Sequence, residues 1–157
     1  VTDSELRVPL WAEVTTLLLS LVGLGLSTYL TITHFEPHLL ACPPIVTLIN
    51  CEKVTTSPQS NILGIPVAIL GLANYVVMTG LNSPWAWRSQ HRWVHEARFI
   101  LAIISMAFVL WLIYAELIII GNICLYCTGV HVTTFALLIV LTLISPAQLG
   151  WTRSRAS

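Results

Sequence analysis

Charge is what this chain has least of. Seven Lys and Arg and seven Asp and Glu make up 9% of its 157 residues, where a soluble domain carries about a quarter. So few charges cannot coat a water-facing surface of that size. The formal net charge is zero and the pI is near 7.1, which excludes the clustered basic face of a nucleic-acid binder. There is no internal repeat, no low-complexity tract and no heptad pattern. The first apolar run is too long for a cleavable signal peptide and lacks a small-residue cleavage site, so it is read as a spanning helix. What is abundant is apolar: 56% hydrophobic residues and a mean hydropathy of +0.83. The expected medium is a membrane.

Four apolar stretches approach the roughly 20 residues that cross a bilayer core as a helix. They are 11–33, 62–81, 98–120 and 123–145. None alternates with period two, so helices and not a barrel satisfy the backbone inside lipid. The expectation is a single all-α integral membrane domain over 1–157. It holds a four-helix transmembrane bundle, a long outer loop at 34–61 and a cytoplasmic loop at 82–97. Pro43-Pro44 suits a helix start, and Ile45, Val46, Leu48 and Ile49 follow it. A short interfacial helix is therefore expected inside the outer loop. Gly121-Asn122 leaves so short a turn that the third and fourth helices must form an antiparallel hairpin.

Basic residues give the orientation. Arg7, Arg88, Arg92, Arg98, Arg153 and Arg155 fall on one face of a four-span topology, and only Lys53 falls on the other. The positive-inside bias then puts both termini in the cytoplasm. Trp11, Trp85, Trp87, Trp93 and Trp151 are expected as interfacial anchors on that side.

With this topology all four cysteines, Cys42, Cys51, Cys124 and Cys127, lie outside the cytoplasm, where thiol pairs can persist as disulfides. The sharpest feature is Cys124-Leu125-Tyr126-Cys127. Residues three apart on a helix are within disulfide range. A helix start also favours an anion, so a thiolate there is stabilised and leaves more readily. Cys42 and Cys51 would be about 13 Å apart on one continuous helix, too far to bridge. They can pair only if the chain between them folds back, which Pro43-Pro44 permits. A pair in a mobile loop can swing between an external thiol and the helix-borne pair, which suits a relay better than a staple. Two structural disulfides, or a zinc site of four cysteines, are the plainer alternatives, although the loop spacing is wrong for zinc.

These residues, in this order, resemble the vitamin K epoxide reductase family, and its bacterial members in particular. The likeness runs from about Trp11 to Ser145. It rests on a four-helix core, the loop cysteines Cys42 and Cys51, Ser57, Asn61 at the start of helix two, and Cys124 with Cys127 at the start of helix four. The resemblance implies an enzyme, a quinone-dependent thiol–disulfide oxidoreductase of the bacterial inner membrane with its active site on the outer face. It implies that Cys42 meets the thiol of a thioredoxin-fold partner, that Cys51 exchanges with Cys124, and that Cys127 faces a membrane quinone, menaquinone or ubiquinone. Ser57 and Asn61 would lie at the mouth of the quinone pocket. The plainer roles are a turn before Pro58 for Ser57 and a helix N-cap for Asn61.

Where vertebrate members have Tyr four residues after the second cysteine of this motif, this chain has His131. It is expected either to hydrogen-bond a quinone oxygen or to join two helices. Glu116 is the one acid inside an apolar run. It is expected to move protons with the quinone or, the preferred reading, to snorkel at the interface. His34 and His38 are expected to be solvated. Few residues follow Pro146, so the partner is expected to be a separate protein. No metal is expected. The alternative from another class is a non-enzymatic scaffold or small transporter with structural disulfides.

Overall fold

The computed structural model describes residues 8–42 and 46–148. Arg7, Pro43, Pro44, Ile45, Trp151, Arg153 and Arg155, all used above, lie outside the described residues.

Helix α1 (Leu10–Phe35) is long because nothing in it breaks a helix. Its buried stripe is Ala12, Thr16, Ser20, Gly23, Ser27, Leu30 and Thr33, which returns every three or four residues. These small residues let neighbouring helices approach closely. Their hydroxyls bond back to the preceding turn, as Thr16 Oγ1 does to the Ala12 carbonyl at 2.8 Å and Ser20 Oγ to that of Thr16 at 2.7 Å. The opposite face exposes Leu18, Leu21, Val22 and Ile32, as a lipid-facing surface does. α1 packs against α3 (Val67–Leu81) and α6 (Leu125–Gln148), and α5 (Arg92–Tyr114) packs against α6.

The chain after α1 differs from expectation. The expected helix after Pro43-Pro44 is absent over its described part: residues 46–48 turn and Ile49 is extended. The short helix comes later, as α2 (Cys51–Thr55), because the Asn50 side chain accepts the Lys53 N–H and caps it. Residues 62–66, expected to be helical, form instead a hairpin of β1 (Asn61–Ile62) and β2 (Ile65–Pro66). Leu63 and Gly64 turn it with φ of 52° and 82°, the pattern of a type I′ turn. Pro66 then precedes the first turn of α3.

That hairpin leaves α3 with 15 residues, about 22 Å of helix. Among the described residues, three helices are long and apolar enough to cross a membrane: Leu10–Phe35, Arg92–Ile120 and Leu125–Pro146. α3 is a shorter apolar helix.

A four-residue helix, α4 (Pro84–Trp87), leads to α5. α5 begins six residues before the expected Arg98, since its polar first turns are held by an Arg92–Glu96 pair at 2.7 Å. Arg98 is buried, with Nε donating to the Leu81 carbonyl at 2.9 Å and its guanidinium 3.5 Å from the Trp87 ring. It caps the end of α3, and Trp87, expected as an interfacial anchor, is buried against it. Trp11, Trp85 and Trp93 are exposed. α5 continues into a wider π-helical turn, Ala115–Ile120, and Gly121 closes it with φ 66° and ψ 24°. This left-handed residue makes the tight α5–α6 hairpin, and glycine adopts it at no steric cost.

Candidate functional site

The four cysteines converge at one end of the bundle. Cys42 and Cys51 are joined by a disulfide with Cα atoms 6.1 Å apart, so the chain between them does fold back. Cys124 and Cys127 are free thiols. Cys51 and Cys124 are both buried and share an apolar cluster with Leu30 and Val54, with Cys42 and Cys127 packed at its edge.

Backbone pairing brings them together. Ile49 and Ile123 form an isolated parallel bridge. The Ile123 N–H donates to the Leu48 carbonyl at 2.8 Å, and the Asn50 N–H donates to the Ile123 carbonyl at 3.2 Å. Cys124 follows this bridge directly, and Cys51 comes one residue further on, after Asn50. Cys51 is thus 1% exposed at the start of α2, not carried on a free arm as expected of a swinging loop. Cys124 immediately precedes α6, and the Cys127 N–H donates to its Sγ at 3.3 Å. An amide donor of this kind favours the thiolate over the thiol.

Cys127 also lines a cavity of about 300 Å³ between α1, α3, α5 and α6, with residues 54–60 on its loop side. The lining is mostly apolar by area, with polar groups among it, the character of a small-molecule site. Cys127, His131, Glu116 and Ser57 all line it. His131 is one turn beyond Cys127 on α6 and is buried. Glu116 is also buried, so it does not snorkel. It sits in the π-helical turn and lines the same cavity as Cys127. Such wide turns recur at functional sites because they re-aim a side chain.

Ser57 both lines the cavity and donates to the Val54 carbonyl at 2.8 Å, just before Pro58. Asn61 is exposed on β1, its amide nitrogen 3.4 Å from Ser60 Oγ. It is neither on the cavity wall nor the cap of α3, whose N-cap is Pro66. His34 lines the cavity and is not a solvated loop residue, whereas His38 is exposed beside Glu36.

Sequence reasoning missed three polar pairs and groups on the wall. Ser105 Oγ donates to Asn74 Oδ1 at 2.9 Å, Tyr75 Oη meets Thr134 Oγ1 at 2.8 Å, and Ser27 Oγ is buried with no hydrogen-bond partner. Each is a polar residue in an apolar run, a signal that could have been followed as it was for His131.

A family model, that of the vitamin K epoxide reductase family, matches residues 14–142. No curated protein matches the chain. The matched region holds every cysteine, the bridge that joins Cys51 to Cys124, and the whole cavity wall. The chain belongs to the vitamin K epoxide reductase family.

Proposed function

We propose that this protein is a membrane thiol oxidoreductase that draws electrons from a thioredoxin-fold partner and delivers them to a membrane quinone. It would support disulfide formation outside the cytoplasm. The carrying observation is the arrangement of unlike pairs: a disulfide in one, free thiols in the other, with Cys51 and Cys124 in one buried cluster and Cys127 on an apolar cavity. Four external cysteines serving only as staples would need both pairs closed. The setting is a bacterial inner membrane, with α3 and its hairpin completing a fourth crossing and both termini cytoplasmic.

The proximity of Cys51 and Cys124 supports the following exchanges. A partner thiolate attacks Cys42 Sγ and breaks the Cys42–Cys51 bond. The partner's second thiol resolves the mixed disulfide, so the partner leaves oxidised, with Cys42 and Cys51 reduced. The Cys51 thiolate then attacks Cys124 Sγ of a Cys124–Cys127 disulfide, and Cys127 leaves as a thiolate. Cys42 next attacks Cys51 Sγ, re-forming their disulfide and freeing Cys124. The state described above is the product of that last step.

A quinone in the cavity supplies a sink for two electrons and two protons. Toward it, Cys127 provides the nearer sulfur and Cys124 closes the disulfide behind it. Glu116 accepts the Cys127 proton, and His131 holds a quinone oxygen by a hydrogen bond. Ser57 stands at the loop side of the wall. Direction is set by potential, the quinone being the stronger oxidant.

The test is a visible-absorbance titration of purified protein with quinone and a dithiol, with each cysteine replaced in turn. Dithiol-dependent quinone loss that disappears in the Cys127 and Cys124 variants is the expected result. No quinone turnover, with cysteines unchanged by mild reductant, would instead indicate a scaffold or transporter.

A further inference from the structure

One residue beside the disulfide is gripped at both of its main-chain polar atoms by tyrosines. The Ala41 N–H donates to Tyr29 Oη at 2.9 Å, and the Ala41 carbonyl accepts from Tyr126 Oη at 2.6 Å. Tyr29 Oη also donates to the Leu39 carbonyl at 3.1 Å. The two rings lie against each other with centroids 4.8 Å apart. Tyr29 is on α1, and Tyr126 is the residue between Leu125 and Cys127 in the second redox pair's own motif. Ala41 immediately precedes Cys42. The helix that carries one thiol pair therefore holds the chain that carries the other.

The two loop cysteines are anchored by different means. Cys51 is fixed by main-chain bonds, through the Ile49–Ile123 bridge and the α2 cap. Among the described residues, the segment entering Cys42 is tied to α1 and α6 by the tyrosine hydroxyls, together with the disulfide itself. When that disulfide opens, Cys51 stays in place. Cys42, packed only at the edge of the cluster, then keeps the hydroxyl bonds at Ala41 as the polar ties of its arm.

We propose that Tyr29 and Tyr126 form a latch that holds the Cys42 arm at the mouth of the bundle and thereby sets the equilibrium between the Cys42–Cys51 disulfide and its dithiol. The proposal rests on the thiol relay above. Latch and disulfide both confine the same arm, so each favours the other, and the coupling is reciprocal. Holding the opened Cys42 near Cys51 raises the effective concentration for closing the bond. Tyr29 and Tyr126 are positioning residues in this scheme, since neither exchanges electrons. The arrangement also accounts for a polar ring in a motif position where only the flanking cysteines react.

The experiment uses the purified full chain in lipid nanodiscs, with Tyr126→Phe and Tyr29→Phe, which keep both rings and remove one hydroxyl each. A third variant, Ala41→Pro, removes the loop-side N–H and leaves both helices untouched. Each is equilibrated with graded ratios of reduced to oxidised dithiothreitol, quenched in acid and alkylated. The Cys42 and Cys51 peptides are then quantified by mass. One dithiothreitol is oxidised per Cys42–Cys51 disulfide reduced, so the ratio reads the equilibrium directly. Losing a hydrogen bond from the closed state shifts it toward the dithiol by about three- to tenfold. The Cys124–Cys127 equilibrium stays within about twofold, because each hydroxyl removed bonds the loop and not that pair. A folded variant with the wild-type Cys42–Cys51 equilibrium overturns the latch. A wild-type protein whose Cys42–Cys51 bond resists reduction overturns the relay, and the latch with it.

Discussion

Ile49 and Ile123 lie 74 positions apart in the chain and pair main chain to main chain as a parallel bridge. Two hydrogen bonds, Ile123 N–H to the Leu48 carbonyl and Asn50 N–H to the Ile123 carbonyl, fix the register. Cys51 and Cys124 are thereby seated in one buried cluster, without depending on the side chains that react.

The seat depends on the α2 cap. Replacing Asn50 by Ala removes the acceptor for the Lys53 N–H and destabilises this five-residue helix by about 1 kcal/mol. The expected consequence is slower exchange between Cys51 and Cys124, with quinone reduction by directly reduced Cys124 and Cys127 unchanged. Stopped-flow quinone absorbance, started from partner-reduced or from dithiol-reduced protein, separates the two. Equal slowing in both would argue against the seat.

The order of transfer makes a trapping prediction. With Cys42 and Cys127 both replaced by Ala, no neighbouring thiol remains to resolve a bond between Cys51 and Cys124. Mild oxidation with diamide, which takes up the two electrons and two protons, should therefore accumulate a Cys51–Cys124 disulfide, visible by non-reducing peptide mapping, and Cys127→Ala alone should abolish quinone reduction. In Cys42→Ala the partner reaction is lost, but a small dithiol still drives quinone reduction. Identical losses in both assays for both variants would contradict the assigned order.

Glu116→Gln keeps the shape of the side chain but cannot take a proton. Quinone reduction is expected to fall by about 100-fold, the scale of a positioned proton acceptor. Reduction of Cys42–Cys51 by dithiothreitol should not change, because Glu116 lies on the cavity side with Cys127. A Gln variant with full turnover removes Glu116 from the mechanism.

A stability prediction comes from α1. A Cβ on Gly23 would run into the Tyr75 ring, and that ring is fixed by its hydroxyl's bonds to Thr134 Oγ1 and the Val130 carbonyl. Gly23→Ala should destabilise the bundle by about 1–3 kcal/mol, as overpacking does, and lower the thermal midpoint in detergent. Gly25→Ala is the control, since nothing lies within 4 Å of its Cβ. Equal midpoints for the two variants would show that α1 and α3 can separate without cost.

Much of this protein is legible in its sequence because lipid imposes so few solutions. Long apolar runs must be helices, and the short Gly121-Asn122 turn must make a hairpin; α5, α6 and the left-handed Gly121 follow that rule. Composition does not resolve where such a run ends. Residues 62–66 are apolar enough for a span, yet Leu63-Gly64 and Pro66 turn them into a hairpin. Arg98 looks like a flank of α5 but is buried as the cap of α3, because its carbonyl partner comes from another helix.

The site divides in the same way. Local spacing alone determined the motif at Cys124 and Cys127 and marked His131 and Glu116 as polar residues in apolar surroundings. Only the tertiary structure decided that Glu116 turns inward and that Asn61 stays outside the cavity wall. It also decided that Cys51 sits beside Cys124 and that Tyr29 and Tyr126 hold Ala41. The physical reason is range. Helix, turn and membrane propensities act over a few residues and are written in neighbours, whereas a wide helical turn, a two-residue bridge and a pair of hydroxyl bonds join segments far apart in the chain.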